Sequence, residues 1–422
     1  MSDVLRHIIR ENRAGRPVAI PSVCSAHPDV IRASLRLAER LDRPVVIEAT
    51  SNQVNQDGGY TGMRPRDFIA FVGDLARQAG CDSDRITFGG DHLGPQAWRK
   101  LPPDEAMAKA HVMVRDYVEA GFTKIHLDCS EGLLGEPAQL GDAVTVARSA
   151  DLARTCEDAG VRGLLYVVGT EVPPPGGART DDHGDIPATT TEAARATLDA
   201  HMAVFSGIGE IGGLVVQPGV EFTPMQIHHL PRDRDPGLRA AIAHAEGVCL
   251  EAHSTDYQIP DTFPRLARMG FAFQKVGPAL TFAWRQALYG LDALRPLAGW
   301  GERIVFPALE EEMTRDPAFW QGHYHGTPDE LRVMRHVGLA DRIRYYWPRP
   351  APAAAVTALL ADLGRRDLPL PLLWQACAPR ILDLAEAIPG PRPQALLEAA
   401  VQAALEPYFF DAPPAALPLD EA

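Results

Sequence analysis

Short apolar runs alternate with longer amphipathic stretches from residue 18 to about residue 294. Residues 18–23, 45–49, 86–91, 124–128, 164–170, 214–217, 248–252 and 272–276 are rich in Val, Ile and Leu and predict strands. Residues 28–41, 66–79, 103–120, 143–159, 191–205, 238–245, 260–269 and 278–294 predict helices; in the first, Val30, Ile31, Leu35 and Leu37 keep a helical period. Strict alternation with apolar strands argues for a parallel sheet, and eight repeats fit a TIM (β/α)8 barrel over residues 1–297. A doubly wound open sheet is the rival, but no GxGxxG follows the first strand. Beyond residue 298 the strand pattern stops. Helical stretches at 331–336, 353–363 and 395–405, separated by proline-rich segments, predict a helical extension over residues 298–422 packed on the barrel.

The 422 residues carry a formal charge of −14, which excludes the electrostatic footprint of nucleic-acid binding and speaks against anionic membrane surfaces. No apolar run approaches the ~18 residues of a membrane span, and the N-terminus is charged throughout, unlike a signal peptide. The six cysteines form no CxxC pair, so reduced thiols in a cytoplasmic protein are expected. Of the 41 basic residues only Lys100, Lys109, Lys124 and Lys275 are lysines, and the last two fall on predicted strands.

The active site of a parallel barrel lies at the C-terminal ends of its strands. There the sequence sets Cys24, Ser25 and His27; Glu48, Thr50, Ser51, Asn52 and Gln53; Asp91 and His92; Asp128 and Ser130; Glu171; Gln217 and Glu221; Glu251, His253, Ser254 and Asp256; and Lys275. A single such residue is more often a packed side chain or a helix cap, but all eight strand ends carry one. His92, Glu171 and His253 follow the third, fifth and seventh strands. Two imidazoles and a carboxylate suit a divalent ion (zinc, manganese, magnesium or nickel) with positions left open for a substrate carbonyl and hydroxyl. Asp91 and Asp128 are candidate proton carriers, and Glu48 and Glu251 further candidates or partners of the ligating histidines. HExxH, GxxxxGK[ST] and GxSxG are all missing.

The stretches SVCSAHP (22–28), IEATSNQVNQDGGYTGM (47–63), GGDHLGP (89–95), KIHLD (124–128), GTEVPPPGG (169–177), VVQPGVEF (215–222), EAHSTDYQ (251–258), KVGPALTFA (275–283) and DRIRYYWP (341–348) resemble the tagatose-bisphosphate aldolase accessory subunits of the GatZ/KbaZ type, nearly end to end. The resemblance implies a barrel related to the metal-dependent class II aldolases, whose third strand ends in an Asp-His pair with the Asp as acid/base and the His on the metal. Asp91-His92 matches that pair. Glu171 stands where a histidine is expected and His253 keeps the imidazole, which speaks against ordinary aldolase activity while leaving a metal site.

Two functions divide this family. One is a 4-epimerase interconverting D-tagatose 6-phosphate and D-fructose 6-phosphate, and the other a non-catalytic subunit that stabilises a class II aldolase. The first is expected here, by retro-aldol cleavage of C3–C4, turning of the aldehyde and re-addition, with Asp91 and Asp128 serving the two faces. The implied partner is a small ketose phosphate, or an aldolase catalytic subunit in the alternative; a homo-oligomer is left open. Substrate contacts are expected from Ser51, Asn52, Gln53, Gln217, Ser254 and Asp256, and the phosphate from Lys275, Ser254 and the backbone beside them, or from Arg342 and Arg344 reaching over from the extension.

Overall fold

The computed structural model describes residues 2–169 and 186–410. The barrel strands are β1 (Ile20–Cys24), β2 (Val45–Thr50), β3 (Ile86–Leu93), β4 (Lys124–Leu127), β5 (Leu165–Val168) and β6 (Ile211–Val215), then β9 (Cys249–Ala252) and β10 (Phe271–Val276). Between them a two-stranded hairpin, β7 (Glu221–Phe222) and β8 (Ile227–His228), rises from the loop after β6. The eight barrel strands pair in parallel and close in the order β1-β10-β9-β6-β5-β4-β3-β2, which is the expected barrel.

The helices are α1 (Ser2–Arg13), α2 (Pro28–Arg40), α3 (Pro65–Ala79), α4 (Pro103–Ala120), α5 (Asp142–Asp158), α6 (Thr191–Phe205), α7 (Thr262–Arg268) and α8 (Pro278–Leu297). Four of them start on a proline, whose fixed φ and missing N–H suit the first helical turn. The charged N-terminus is the amphipathic helix α1. Its Leu5, Ile8 and Ile9 join Ile20, Val46, Leu165, Val167 and Phe273 in the apolar core at the N-terminal end of the barrel.

Residues 238–245, expected as a helix, make only a 3-10 turn at Leu238–Ala240 and further i→i+3 turns. The apolar spacing is helical, and Leu238, Ala241, Ile242 and Ala245 are buried, but so short a segment closes too few i→i+4 bonds to nucleate an α-helix. β6 begins three residues earlier than expected because Gly212 lets Leu165 pack over it: a Cβ there would lie 2.4 Å from Leu165 Cγ.

After α8 come α9 (Val305–Arg315), α10 (Pro328–Val337), α11 (Pro350–Leu363), α12 (Leu370–Leu373), α13 (Pro379–Glu386) and α14 (Arg392–Leu405). α14 packs on α8 and α2, where the buried Glu398 accepts from Arg32 (2.5 Å) and from Arg36. Asp341, at φ 45°, accepts from Thr281 Oγ1 (2.6 Å) and from buried Arg285 Nε (2.8 Å), both on α8. That anchor carries the turn Arg342–Tyr345 to the mouth of the barrel. All six cysteines are free thiols, and no helix among the described residues is long and apolar enough to cross a membrane.

Candidate active site

The barrel interior changes character halfway up. Below are the apolar side chains that meet α1; above them lies a layer of buried charge. Glu48 of β2, Gly89 of β3 and Lys124 of β4 are in register. Gly89 lets the first and last meet across β3, since a Cβ there would lie 2.8 Å from Glu48 Cγ. Lys124 Nζ is 2.5 Å from Glu48 Oε1 and 2.6 Å from Glu251 Oε2, with all three side chains fully buried. Lys275 Nζ contacts Asp91 and lies 3.2 Å from Glu251 Oε1, 3.5 Å from Glu48 Oε2 and 3.2 Å from His126 Nδ1. Burial alone would lower both lysines; the surrounding carboxylates outweigh it and push Lys275 well above the usual range. Cys24 Sγ donates to Glu48 Oε2 at 3.1 Å.

Three imidazoles stand on this layer. The ring centres of His92, His126 and His253 are 4.8, 5.1 and 5.2 Å apart. His92 Nδ1 is 2.7 Å from Asp128 Oδ2, while Asp128 Oδ1 accepts from Ser130 N–H and Oγ. Gly94 makes this possible, because a Cβ there would lie 1.7 Å from the Asp128 carbonyl. His253 Nε2 is 2.8 Å from Glu251 Oε1. His126 Nδ1 lies 3.0 Å from the His92 N–H and 3.3 Å from Asp91 Oδ1, and its Nε2 is buried without a partner. Because Nδ1 accepts the His92 N–H, the proton of the neutral ring sits on Nε2, which has no partner. Burial, reinforced by Lys275, keeps His126 near 4 and His253 well below its ordinary value, so both are neutral. Burial would raise Asp91, but His92 and Lys275 outweigh it and hold it well below the carboxylate range.

Ligand atoms of Asp91, His92 and His126 lie within 4.8 Å of one another, as do those of His126, Glu251 and His253. Burial opposes charge on His92, but Asp91 and Asp128 outweigh it and raise that ring above the ordinary imidazole value. The carboxylates Glu48, Asp91, Asp128 and Glu251 still outnumber Lys124, Lys275 and the His92 ring, leaving negative charge that a divalent cation would offset. His92 and Ser254 both hold left-handed backbone, at φ 46° and 52°.

Most of the expected residues converge. Asp91, His92, His253, Asn52, Gln53, Ser254, Asp256, Lys275 and Arg344 line the mouth. Glu48 and Glu251 sit beneath it as ion-pair partners, and Asp128 behind His92. Ser51 does not reach the mouth: it is buried, its N–H donating to the Asp91 carbonyl. Gln217 turns back on its own loop, Oε1 accepting from the N–H groups of Gly219 and Val220. Arg342 donates through Nε to the Phe319 carbonyl instead of facing the mouth. Glu171 lies outside the described residues. Sequence reasoning missed His126, Lys124 as the link between Glu48 and Glu251, and Tyr345 at the rim. The available signal was Lys124 and His126 at alternate positions of an otherwise apolar strand, which puts both on one face.

The family model for D-tagatose-1,6-bisphosphate aldolase subunit GatZ/KbaZ-like proteins matches residues 5–412. A curated relative from Agrobacterium fabrum, D-tagatose 6-phosphate 4-epimerase, is 44% identical over 97% of this chain and 98% of its own. A crystal structure from Sinorhizobium meliloti 1021, described as a probable tagatose 6 phosphate kinase, is 45% identical with a TM-score of 0.84, covering 93% of this chain and 99% of that one. This chain belongs to the GatZ/KbaZ-like family of D-tagatose-1,6-bisphosphate aldolase subunits.

Proposed function

We propose that this chain is a metal-dependent isomerase that interconverts D-tagatose 6-phosphate and D-fructose 6-phosphate at C4. The observation that carries the reading is the cluster of three imidazoles over a carboxylate layer, in a chain 44% identical along nearly its whole length to an epimerase of that name. The family and both relatives are named for a phosphorylated tagatose.

The residues present fit a divalent ion: three imidazoles, two of them neutral and one with an unpartnered ring nitrogen, beside an excess of carboxylates. His92, His126 and His253 would hold it, with Asp91 or Glu251 at hand. A divalent ion there supplies Lewis-acid polarisation of the ketone and its neighbouring hydroxyl. Asp128 and Glu251 fix the tautomers of His92 and His253, as partners behind a ligating imidazole do.

The reaction needs a proton taken from the C4 hydroxyl on one face and returned on the other. The C3–C4 electron pair stays with the C1–C3 fragment, a three-carbon aldehyde phosphate turns, and the bond reforms. Asp91, with Lys275 against it, is the proton carrier on the β3 side. Asp128 was expected on the second face, but it is committed to His92 and Ser130. Asp256 follows β9, diametrically opposite β3 in the ring. It lines the mouth with its carboxyl lifted by burial to about 6, and it suits that second role.

The test is turnover by the purified chain with divalent ion, followed by NMR of the sugar. Conversion of tagatose 6-phosphate to fructose 6-phosphate, abolished by chelation, is expected. No turnover across several metals and phosphorylated ketoses overturns the reading. The second reading, a non-catalytic stabilising subunit, is favoured by the family's own description. A stable stoichiometric complex that rescues a class II aldolase, with no epimerase activity alone, would establish it.

A further inference from the structure

Beside the mouth lies a second cavity of about 380 Å³. Cys24, Gln53, Gly277 and Arg344 line both spaces, so they adjoin along one wall. The remaining walls are largely apolar, among them Tyr60, Met63, Phe71 and Trp347. Two walls nevertheless carry ring nitrogens that are buried and hydrogen-bond to nothing: Trp347 Nε1, on a residue 5% exposed, and His27 Nδ1. Buried polar atoms are rarely left unpaired, because their desolvation is then uncompensated. At the shared wall, Arg344 gives Nη1 to the Ala340 and Asp341 carbonyls and Nη2 to the Tyr345 hydroxyl (2.8 Å). It makes no ion pair among the described residues, although Asp341 and Asp256 lie within its field.

The place where such barrels commonly seat a phosphate, the helix N-terminus after the last strand, is already occupied. Asp256 Oδ1 accepts the N–H groups of Gly277 (3.0 Å) and Ala279 (2.8 Å) at the start of α8. Lys275, the other expected anchor, is surrounded by carboxylates. An incoming dianion is therefore repelled from the strand 7 and 8 rim and attracted to the Arg344 wall.

We propose that the second cavity is the phosphate compartment, a site for a phosphomonoester dianion with Arg344 at its neck and Trp347 Nε1 and His27 Nδ1 in its wall. The identity of the ligand as the phosphorylated end of a ketose rests on the epimerase reading. In that reaction the compartment has a second use. It tethers the three-carbon aldehyde by its phosphate, so that the carbonyl end turns without the fragment leaving.

The test uses Trp347→Phe, which removes the N–H and keeps an aromatic ring against Trp284 (4.9 Å), together with Arg344→Met. In wild type, inorganic phosphate is expected to inhibit competitively against the ketose 6-phosphate. Trp347→Phe raises KM and the phosphate inhibition constant alike, about tenfold or more, the worth of one hydrogen bond to a charged group. It changes kcat by less than about twofold, and Arg344→Met does more in the same direction. Unphosphorylated D-tagatose should bind both variants as it binds wild type. Unchanged constants in both variants, or non-competitive inhibition, overturn the compartment. Calorimetric titration with inorganic phosphate separates this proposal from the reading beneath it. Binding weakened by Trp347→Phe in a chain that turns over no ketose keeps the compartment and sinks the epimerase. Turnover with phosphate affinity indifferent to both variants does the reverse.

Discussion

Replacing Lys124 by Met would remove the cation that ties two buried carboxylates together. At an effective dielectric of ~20, an ammonium–carboxylate contact near 2.6 Å contributes roughly 6 kcal/mol of attraction. Lys124 makes two, to Glu48 and Glu251. Together they offset the several kcal/mol per ion that full burial costs. Without Lys124 the net loss is smaller than the summed attraction, because one stranded carboxylate takes up a proton. Lys275 also remains 3.2 and 3.5 Å from the pair. The expected cost is about 3–5 kcal/mol, the usual figure for breaking a buried pair from one side. Urea unfolding followed by tryptophan fluorescence would read it as a lowered midpoint. Lys124→Met with Glu48→Gln should recover part of the loss, since it withdraws one of the stranded charges. A single variant within about 1 kcal/mol of wild type, or a double variant no better than the single, would refute the account of the charged layer.

Two further outcomes are expected. His126→Ala and His253→Ala should each bind a divalent ion at least ~10-fold more weakly in equilibrium dialysis while remaining folded; unchanged metal content removes that residue from the site. Asp256 gives a pH signature. Its carboxyl is lifted by burial to about 6 against the opposing N–H groups of Ala279 and Gly277, from an ordinary 3.8. Between those values the folded chain keeps a proton that the unfolded chain has released. The group's contribution to stability therefore falls as pH rises through the window, by about 3 kcal/mol in all. Asp256→Asn keeps an acceptor for both N–H groups and does not titrate, so it should gain on wild type from pH ~4 to ~6. A stability difference that is flat across that range contradicts this.

The barrel was legible because its strands are apolar on both sides and its helices are not, so the two periods separate cleanly along the chain. The site was legible where polar residues follow a strand: Asp91, His92, His253 and Asp256 all line the mouth. It was illegible where function sits inside a strand. Lys124 and His126 occupy β4, and reading the strand end alone selected Asp128, which instead orients His92. Long side chains were the other source of error. Lys275 was expected to meet the phosphate, but its partners are set by β2, β3 and β9, which no local window contains. Arg342 and Arg344 are two residues apart, yet the turn that holds them sends one to a carbonyl and the other to the mouth. That turn depends on Asp341 meeting α8, a contact spanning 56 residues to Arg285.

The left-handed backbone at His92 and Ser254 has an evolutionary consequence. Such a conformation costs a non-glycine residue of order 1–3 kcal/mol, and glycine escapes it. Selection for thermal stability alone would push both positions toward glycine, deleting an imidazole from the cluster and a hydroxyl from the mouth. The native sequence thus sits off its stability optimum at these two positions, and directed evolution for heat resistance without a screen for turnover should drift toward a sturdier barrel with a blunted mouth.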